Sequence, residues 1–480
     1  MQINFKNLTI KSAHEHLLKG DFSVSELTQA CIENIKKQNG ELNVILEVYD
    51  DVMEQAEKAD EIIKAGLGGP LTGIPLVLKD NILIEGKIAS AASKILANHR
   101  ATYDAFVIKK LREAGVVFIG RANMDEFAMG ASTENSAYGV TKNPNDTTRV
   151  PGGSSGGSAV AVAKNMSLCS LGTDTGGSVR QPSAFCGVVG LKPTYGAVSR
   201  RGAIAMGNSL DQIGPIAHTV EDVETIFNII SGYDLKDSTS HNDELREVYR
   251  NRNKKIKIKK LGVPISLLDT DGMDTEIKEN FKKMIEDFKG LGYEIVNIEM
   301  PMSEYSLPVY YILMPAEVST NLSRFDGIRY GEQKDGANLL EVYKNSRGVG
   351  FGVETRRRII LGTYVLSHGY YDAYYNKAKA LRSLIEKEFD TIFKDVDAIL
   401  MPTTPTPAFK IGEKIKDPVS MYLADIFTVS ANIGGVPAIS IPSGKTKEGL
   451  PIGFQIIAPK FCEDILFSLG KEYENLNKSR

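Results

Sequence analysis

Two glycine-serine turns hold most of the chemistry this chain can do: Gly152-Gly153-Ser154-Ser155-Gly156-Gly157-Ser158 and Gly172-Thr173-Asp174-Thr175-Gly176-Gly177-Ser178. A serine hydroxyl attacks an amide only after its proton is removed, usually by a histidine that a carboxylate orients. None of the six histidines (His14, His16, His99, His218, His241, His368) stands in such a turn. Neutral lysine does the same work where burial and neighbouring hydroxyls lower its pKa. Lys79, at the end of the apolar run Ile74-Pro75-Leu76-Val77-Leu78 and beside Asp80 and Asn81, is the candidate base. Read alone, it is equally a snorkelling lysine or the ion-pair partner of Asp80.

The second turn favours catalysis. Gly176 and Gly177 ahead of Ser178 permit tight backbone with several N–H groups converging, as an oxyanion hole requires. Thr173, Asp174 and Thr175 crowd polar groups at a strand end, which is costly unless they are hydrogen-bonded or functional. Arg180 adds a fixed charge close by. The first turn formally fits Gly-x-Ser-x-Gly, but a polar stretch, Asn143 to Arg149, precedes it instead of an apolar strand. No Gly-Lys-Ser/Thr closes a phosphate loop.

These turns need a scaffold. Residues 9–65 read as helices, with Leu27, Cys31 and Ile35, then Val52, Ala56, Ala59 and Ile63, at helical spacing. Strands are expected at Ile74 to Leu78, Val116 to Ile119, Met166 to Leu171, Ile256 to Val263, Tyr293 to Ile298, Ala398 to Met401, Ala438 to Ile441 and Phe454 to Ile457. Tyr103 to Ala114 and the apolar face Ile277, Phe281, Met284, Ile285 and Phe288 are helices between them. Such interleaving predicts an α/β fold, a central mixed sheet covered by helices on both faces. Residues 234–255 are the most polar segment, either a linker at a domain boundary or an exposed connection within one domain, and residues 305–395 are mostly helical and rich in tyrosine.

With 480 residues the chain can bury a large core. Its 57 basic and 60 acidic residues give a formal charge of -3, which creates no strong field for a polyanion, so nucleic-acid contact would be local or supplied by a partner. Cys31, Cys169, Cys186 and Cys462 lack metal-type spacing and read as reduced intracellular thiols. With no signal peptide and no apolar run of about 18 residues, a soluble cytoplasmic protein is expected.

Both turns together with Lys79 resemble the signature of the amidase signature family. Its fold would make residues 1–480 a single α/β/α domain, with residues 1–70 a helical segment packed on it and residues 300–395 a helical excursion. The resemblance implies a Ser-cisSer-Lys triad: Ser178 as nucleophile, Ser154 as the bridging serine after a cis peptide bond, and Lys79 as base. Backbone N–H groups of Thr175, Gly176, Gly177 and Ser178 would form the oxyanion hole.

Within the family, Gly120 to Gly130, Ser209 to Pro215, Asn321 to Gly331, Arg357 to Tyr375 and Met401 to Pro407 resemble the glutamine-hydrolysing A subunits of tRNA-dependent amidotransferases. That branch implies glutamine as substrate, with Arg358 on its carboxylate, Asp425 on its ammonium and Tyr310 or Tyr311 lining the pocket. It also implies a heterotrimer with B and C subunits. This chain would hold no cofactor and no metal, while the B subunit carries ATP, Mg²⁺ and most of the tRNA contact. Ammonia would convert Glu-tRNA(Gln) to Gln-tRNA(Gln), and Asp-tRNA(Asn) is a further substrate to consider. Arg201 to Asn208 departs from the branch's usual aromatic, valine and alanine-rich run. A stand-alone amidase of small primary amides and a non-catalytic assembly protein are the rival readings.

Overall fold

Ile74 to Leu78 is almost wholly apolar, which suits a strand covered from both sides, and the strand forms at Pro75–Lys79. In the computed structural model, which describes residues 3–252, 258–270, 272–415 and 417–478, eleven strands among the described residues make one sheet. They are β1 (Ile45–Val48), β2 (Pro75–Lys79), β3 (Val117–Ala122), β4 (Cys169–Asp174), β5 (Val189–Lys192), β6 (Gln212–Ala217), β7 (Lys260–Val263), β8 (Glu294–Asn297), β9 (Ala398–Pro402), β10 (Ala438–Lys445) and β11 (Pro451–Ile457). Their order is β1-β3-β2-β4-β6-β5-β10-β11-β9-β7-β8. The triplets β3-β2-β4 and β9-β7-β8 are parallel and the remaining pairs antiparallel, so the sheet is mixed.

Alternation along the strands sorts the core into two faces. In β9, Ala398 and Leu400 join the larger cluster, with Val107, Leu111, Phe288 and Leu466 of the helices on that side. Ile399 and Met401 join the other, with Val309, Leu313 and Phe389. Helices therefore cover both faces, as the α/β reading expects.

Three strands escape sequence reasoning. β5 and β6 carry Gly190, Gly214 and Pro215, which weaken a strand signature. The glycine has a reason: a Cβ on Gly214 would strike the Leu191 carbonyl, so the two strands approach closely only without one. β1 is four residues between helices, too short to show a period. The polar segment, read as a linker or as a connection within the domain, is pinned by side-chain contacts. Asp234 takes Arg201 Nε at 2.8 Å, Arg246 donates to the Ala197 carbonyl at 2.9 Å, and a helix spans Asp243–Arg252. Its last positions, 253–255, and the first two of the strand expected from Ile256 lie outside the described residues.

Much of the segment from 300 to 395 forms helices, chiefly Ser306–Asn321, Val353–Val365 and Lys377–Asp395, on the smaller core face. Five tyrosines (Tyr364, Tyr370, Tyr371, Tyr374, Tyr375) gather near the π-helical stretch Tyr371–Asn376. Gly362 lets the helix Val353–Val365 lie directly on the Pro315 carbonyl of Ser306–Asn321, where any Cβ would collide with that oxygen. Gly362→Ala is expected to destabilise the protein by about 1–3 kcal/mol through overpacking, read as a lower urea midpoint with an unchanged slope.

Candidate active site

Lys79 ends β2 beside the end of β4, and the parallel register of Leu78 with Leu171 brings its side chain next to Thr173. Its ammonium or amine is fully buried and surrounded by oxygens. Nζ lies 2.8 Å from Ser154 Oγ, 2.8 Å from Ser155 Oγ, 2.9 Å from Thr173 Oγ1 and 3.2 Å from the Thr173 carbonyl. Burial pulls its pKa from 10.5 down to about 7, against Asp125, Asp174 and Asp211, whose charges hold it up. Asp80, the partner that a structural reading of Lys79 would need, is engaged by Arg121 Nη1 at 2.8 Å and by the Ser90 hydroxyl. Lys79 is therefore a buried amine that burial pulls toward neutrality, not the ion-pair partner of Asp80.

Ser154 follows a cis peptide bond from Gly153 and is wholly buried. The turn is packed too tightly for side chains, since a Cβ on Gly153 would meet the Asp125 carboxylate and the Ser132 and Thr133 N–H groups. Gln181 braces it, with Oε1 accepting from Gly153 N at 2.8 Å and Nε2 donating to the Ala131 carbonyl at 2.9 Å. Ser178 sits alongside, because Ser155 N–H donates to its carbonyl at 3.1 Å. Lys79 is hydrogen-bonded to Ser154, but no hydrogen bond joins the Ser154 and Ser178 hydroxyls.

Asp174 organises the second turn. It accepts Gly177 N at 2.9 Å, Val179 N at 3.2 Å and two guanidinium nitrogens of the fully buried Arg180, each at 3.1 Å. Burial pushes the Asp174 carboxyl up, but Arg180 more than offsets this and holds it at about 2. Arg180 in turn reaches Gln455 Oε1 at 2.8 Å, Asn432 Oδ1 at 2.6 Å and the Thr428 carbonyl at 2.9 Å. Of the four N–H groups expected in the oxyanion hole, those of Thr175, Gly176 and Ser178 have no acceptor among the described residues. Gly177 differs, because its N–H is committed to Asp174. Its φ of +137° and the Thr428 hydroxyl beside its Cα still demand glycine.

Tyr310 and Asp425 cover this turn. A Cβ on Gly176 would lie 3.0 Å from Tyr310 Oη, and one on Gly177 would lie 3.3 Å from Asp425 Oδ1. Asp425 Oδ1 is buried without a hydrogen-bond partner among the described residues, and burial together with the Asp174 charge raises its pKa well above the usual carboxylate range. Arg358 is buried beside the stacked rings of Tyr311 and Tyr422, its guanidinium 5.4 and 5.6 Å from their centres, with Nε on Glu354 Oε1 at 2.8 Å. Burial pushes the Glu354 carboxyl up, but Arg358 outweighs it and keeps the carboxyl low. A cavity of about 350 Å³ opens onto Arg358, Glu354, Tyr422, Ser132, Glu134 and Lys414, and does not reach Ser178.

The structure thus brings Lys79, Ser154, Ser178, Tyr310, Tyr311, Arg358 and Asp425 into one region. Sequence reasoning missed Ser155 and Thr173 as partners of Lys79, and Asp211, which takes the Thr175 hydroxyl at 2.7 Å. Their signal was position alone: all three stand in or beside the motifs already singled out. Cys186 is a buried thiol against the Pro151 carbonyl, pushed up by burial, and takes no part.

Comparison with known proteins gives the chain's relatives. The Amidase family model matches residues 26–467. The A subunit of glutamyl-tRNA(Gln) amidotransferase from Desulfatibacillum aliphaticivorans is 47% identical over 468 residues, covering 97% of this chain and 96% of its own. That of Caldanaerobacter subterraneus is 48% identical over 474 residues, covering 98% and 97%. The crystal structure of the Thermotoga maritima A subunit superposes with a TM-score of 0.79 at 42% identity, covering 97% of this chain and 94% of that one. Peptide amidase from Stenotrophomonas maltophilia gives 0.79 at 27% identity, covering 98% and 97%. The chain belongs to the amidase family.

Proposed function

We propose that this chain is the glutamine-hydrolysing A subunit of a tRNA-dependent amidotransferase, with Ser178, Ser154 and Lys79 as its catalytic triad. The observation that carries the chemistry is buried Lys79 Nζ at 2.8 Å from Ser154 Oγ, its pKa pulled down to about 7 by burial. Close similarity to the A subunits over nearly the full chain carries the choice of substrate. Residues 1–480 act as one amidase domain, with residues 1–70 packed on it and residues 300–395 supplying part of the glutamine pocket.

Neutral Lys79 takes a proton through Ser154 as Ser178 Oγ attacks the side-chain amide carbon of glutamine. The oxyanion meets the open N–H groups of Thr175, Gly176 and Ser178, and losing one such donor typically costs about 3 kcal/mol. Ammonia leaves with the returning proton, and water then frees glutamate from the Ser178 ester. Arg358 presents its terminal nitrogens to the substrate carboxylate, since Glu354 occupies Nε. Asp425, unpartnered and raised in pKa when empty, ionises against the substrate ammonium. Ammonia would pass to a B subunit, which would hold the ATP and Mg²⁺ that supply activation of the glutamyl group on tRNA(Gln), with a C subunit joining the two. Asp-tRNA(Asn) is converted the same way where the partner accepts it.

Lys79 sets the pH dependence. Its pKa is lowered, so the active neutral form is lost as pH falls through about 7, and kcat/KM for glutamine should drop tenfold per unit below that point. An acid limb that stays flat to pH 5 would remove Lys79 as the base. Ser178→Ala should cut glutamine-dependent formation of Gln-tRNA(Gln) by roughly 10⁴-fold or more in the native assembly, leaving conversion with added ammonia intact. Equal rates with glutamine would defeat the assignment, and vigorous glutaminase activity of the isolated chain would favour a stand-alone amidase. Arg358→Lys loses the forked donor and should raise KM for glutamine about 10- to 100-fold with a smaller effect on kcat.

A further inference from the structure

The peptide that joins Gly176 to Gly177 sits between the two that carry the open N–H groups of Gly176 and Ser178. Of the peptides in the turn it has the least restraint of its own, because neither residue has a Cβ and the torsions on both sides of it turn freely. The fold holds it from both ends instead. Its N–H, that of Gly177, donates to Asp174 Oδ1 at 2.9 Å, and its carbonyl, that of Gly176, accepts from the Thr428 hydroxyl at 2.7 Å. The N–H and C=O of a trans peptide point in opposite directions, so the two bonds together fix its plane.

Thr428 is wholly buried, and its hydroxyl has one proton to give. The Asp425 carbonyl lies 3.1 Å from the same oxygen, but it already accepts from the Thr428 N–H at 3.0 Å, and the shorter contact is the one to Gly176. The fit is close on the next residue too, since a Cβ on Gly177 would lie 2.2 Å from Thr428 Oγ1. Both ends of the clamp belong to the stretch of chain that follows Asp425. The Thr428 carbonyl takes Arg180 Nη1 at 2.9 Å, while Asn432 donates Nδ2 to Asp174 Oδ1 at 2.8 Å and accepts from Arg180 Nη2 at 2.6 Å.

We propose that Thr428 is a positioning residue for the oxyanion hole: through the Gly176 carbonyl it fixes the peptide on either side of which the Gly176 and Ser178 N–H groups are aimed, a role that rests on the proposed amide hydrolysis. It acts through the turn and not on the reacting atoms. Without the hydroxyl the Gly176 carbonyl is a buried acceptor short of a partner, and two permissive glycines let it swing away from its place. The loss then falls on the charge that develops on the amide oxygen during attack. Ground-state glutamine is spared, because Arg358 and Asp425 hold it by its other end.

Thr428→Val keeps the shape of the side chain and removes the hydroxyl, whereas Thr428→Ser keeps the hydroxyl and removes the methyl. In the native assembly, with rates counted per folded molecule, Thr428→Val should lower kcat for glutamine about 10- to 100-fold and leave KM within about threefold. Thr428→Ser should stay within about threefold of wild type in both. A second readout is the amino acid that carries a boronic acid in place of the glutamine side-chain amide, which can form a tetrahedral adduct with Ser178. Its affinity should fall in Thr428→Val by the same factor as kcat/KM, while glutamate, which forms no adduct, should bind as before. Unchanged kcat in Thr428→Val, or equal losses in Thr428→Val and Thr428→Ser, would make the hydroxyl a purely structural bond and overturn the proposal. A raised KM with kcat preserved would overturn it as well, by placing Thr428 with the groups that bind the substrate. Should Thr428→Val not fold, Thr428→Ala, which lacks the hydroxyl and asks for no space, carries the same expectation. A wild type that forms no glutamate would strike the functional reading instead, and the same comparison on a primary amide it does hydrolyse would then decide the role of Thr428.

Discussion

Everything in this site depends on keeping a buried lysine from being a fixed ammonium. An isolated ammonium taken out of water loses several kcal/mol of hydration even after relaxation, so an unpaired Lys79 is pushed toward neutrality. Three carboxylates stand near enough to undo that. Asp174 is committed to Arg180. Asp125 and Asp211 are themselves pushed up by burial, Asp125 to about 6. The nearest groups are hydroxyls, which satisfy an amine without demanding its charge. Lys79 can therefore shed and regain a proton near neutral pH, which a surface lysine cannot.

This balance is a product of the sheet. β2 and β4 are parallel neighbours, so their C-terminal ends meet at one edge, where catalytic and binding groups of α/β proteins tend to collect. β2 contributes Lys79 and the following Asp80 and Asn81, while β4 contributes Thr173, Asp174 and the serine turn. The helix Gly156–Ala163 packs on β4 directly after Ser154 and Ser155, closing the third side. Pieces 75 to 94 positions apart in the chain are brought within hydrogen-bond reach by register alone.

How much of this is legible in the sequence follows the same physics. Lys79, the two turns and the buried strands stand out because their residue types are wrong for any bland role: a lysine capping an apolar run, or glycines and hydroxyls crowded at a strand end. Arg358, Asp425 and the tyrosines are legible only through family resemblance, since a helix-borne arginine and an aspartate before an isoleucine carry no local signal. β5 and β6 are hidden by glycines and a proline whose purpose, close approach of two strands, exists only in the folded state. The commitment of Gly177 N–H to Asp174 is hidden too, because which N–H a carboxylate takes is decided by small differences in turn geometry.

The region of Arg358 and Asp425, proposed to bind glutamine, is built on the opposite principle from the proposed triad. Around Ser178 the polar groups are largely saturated: Asp174, Arg180, Asn432 and Gln455 satisfy one another, so the turn is fixed before any substrate arrives. Around Arg358 and Asp425 the groups are left incomplete. Arg358 gives Nε to Glu354 and keeps its outer nitrogens almost free, and Asp425 holds a bare buried oxygen. A ligand with one carboxylate and one ammonium repairs both deficits at once, whereas a simple amide repairs neither and leaves their burial costs standing. In the proposed function, selectivity for an amino-acid amide follows from these two incomplete groups.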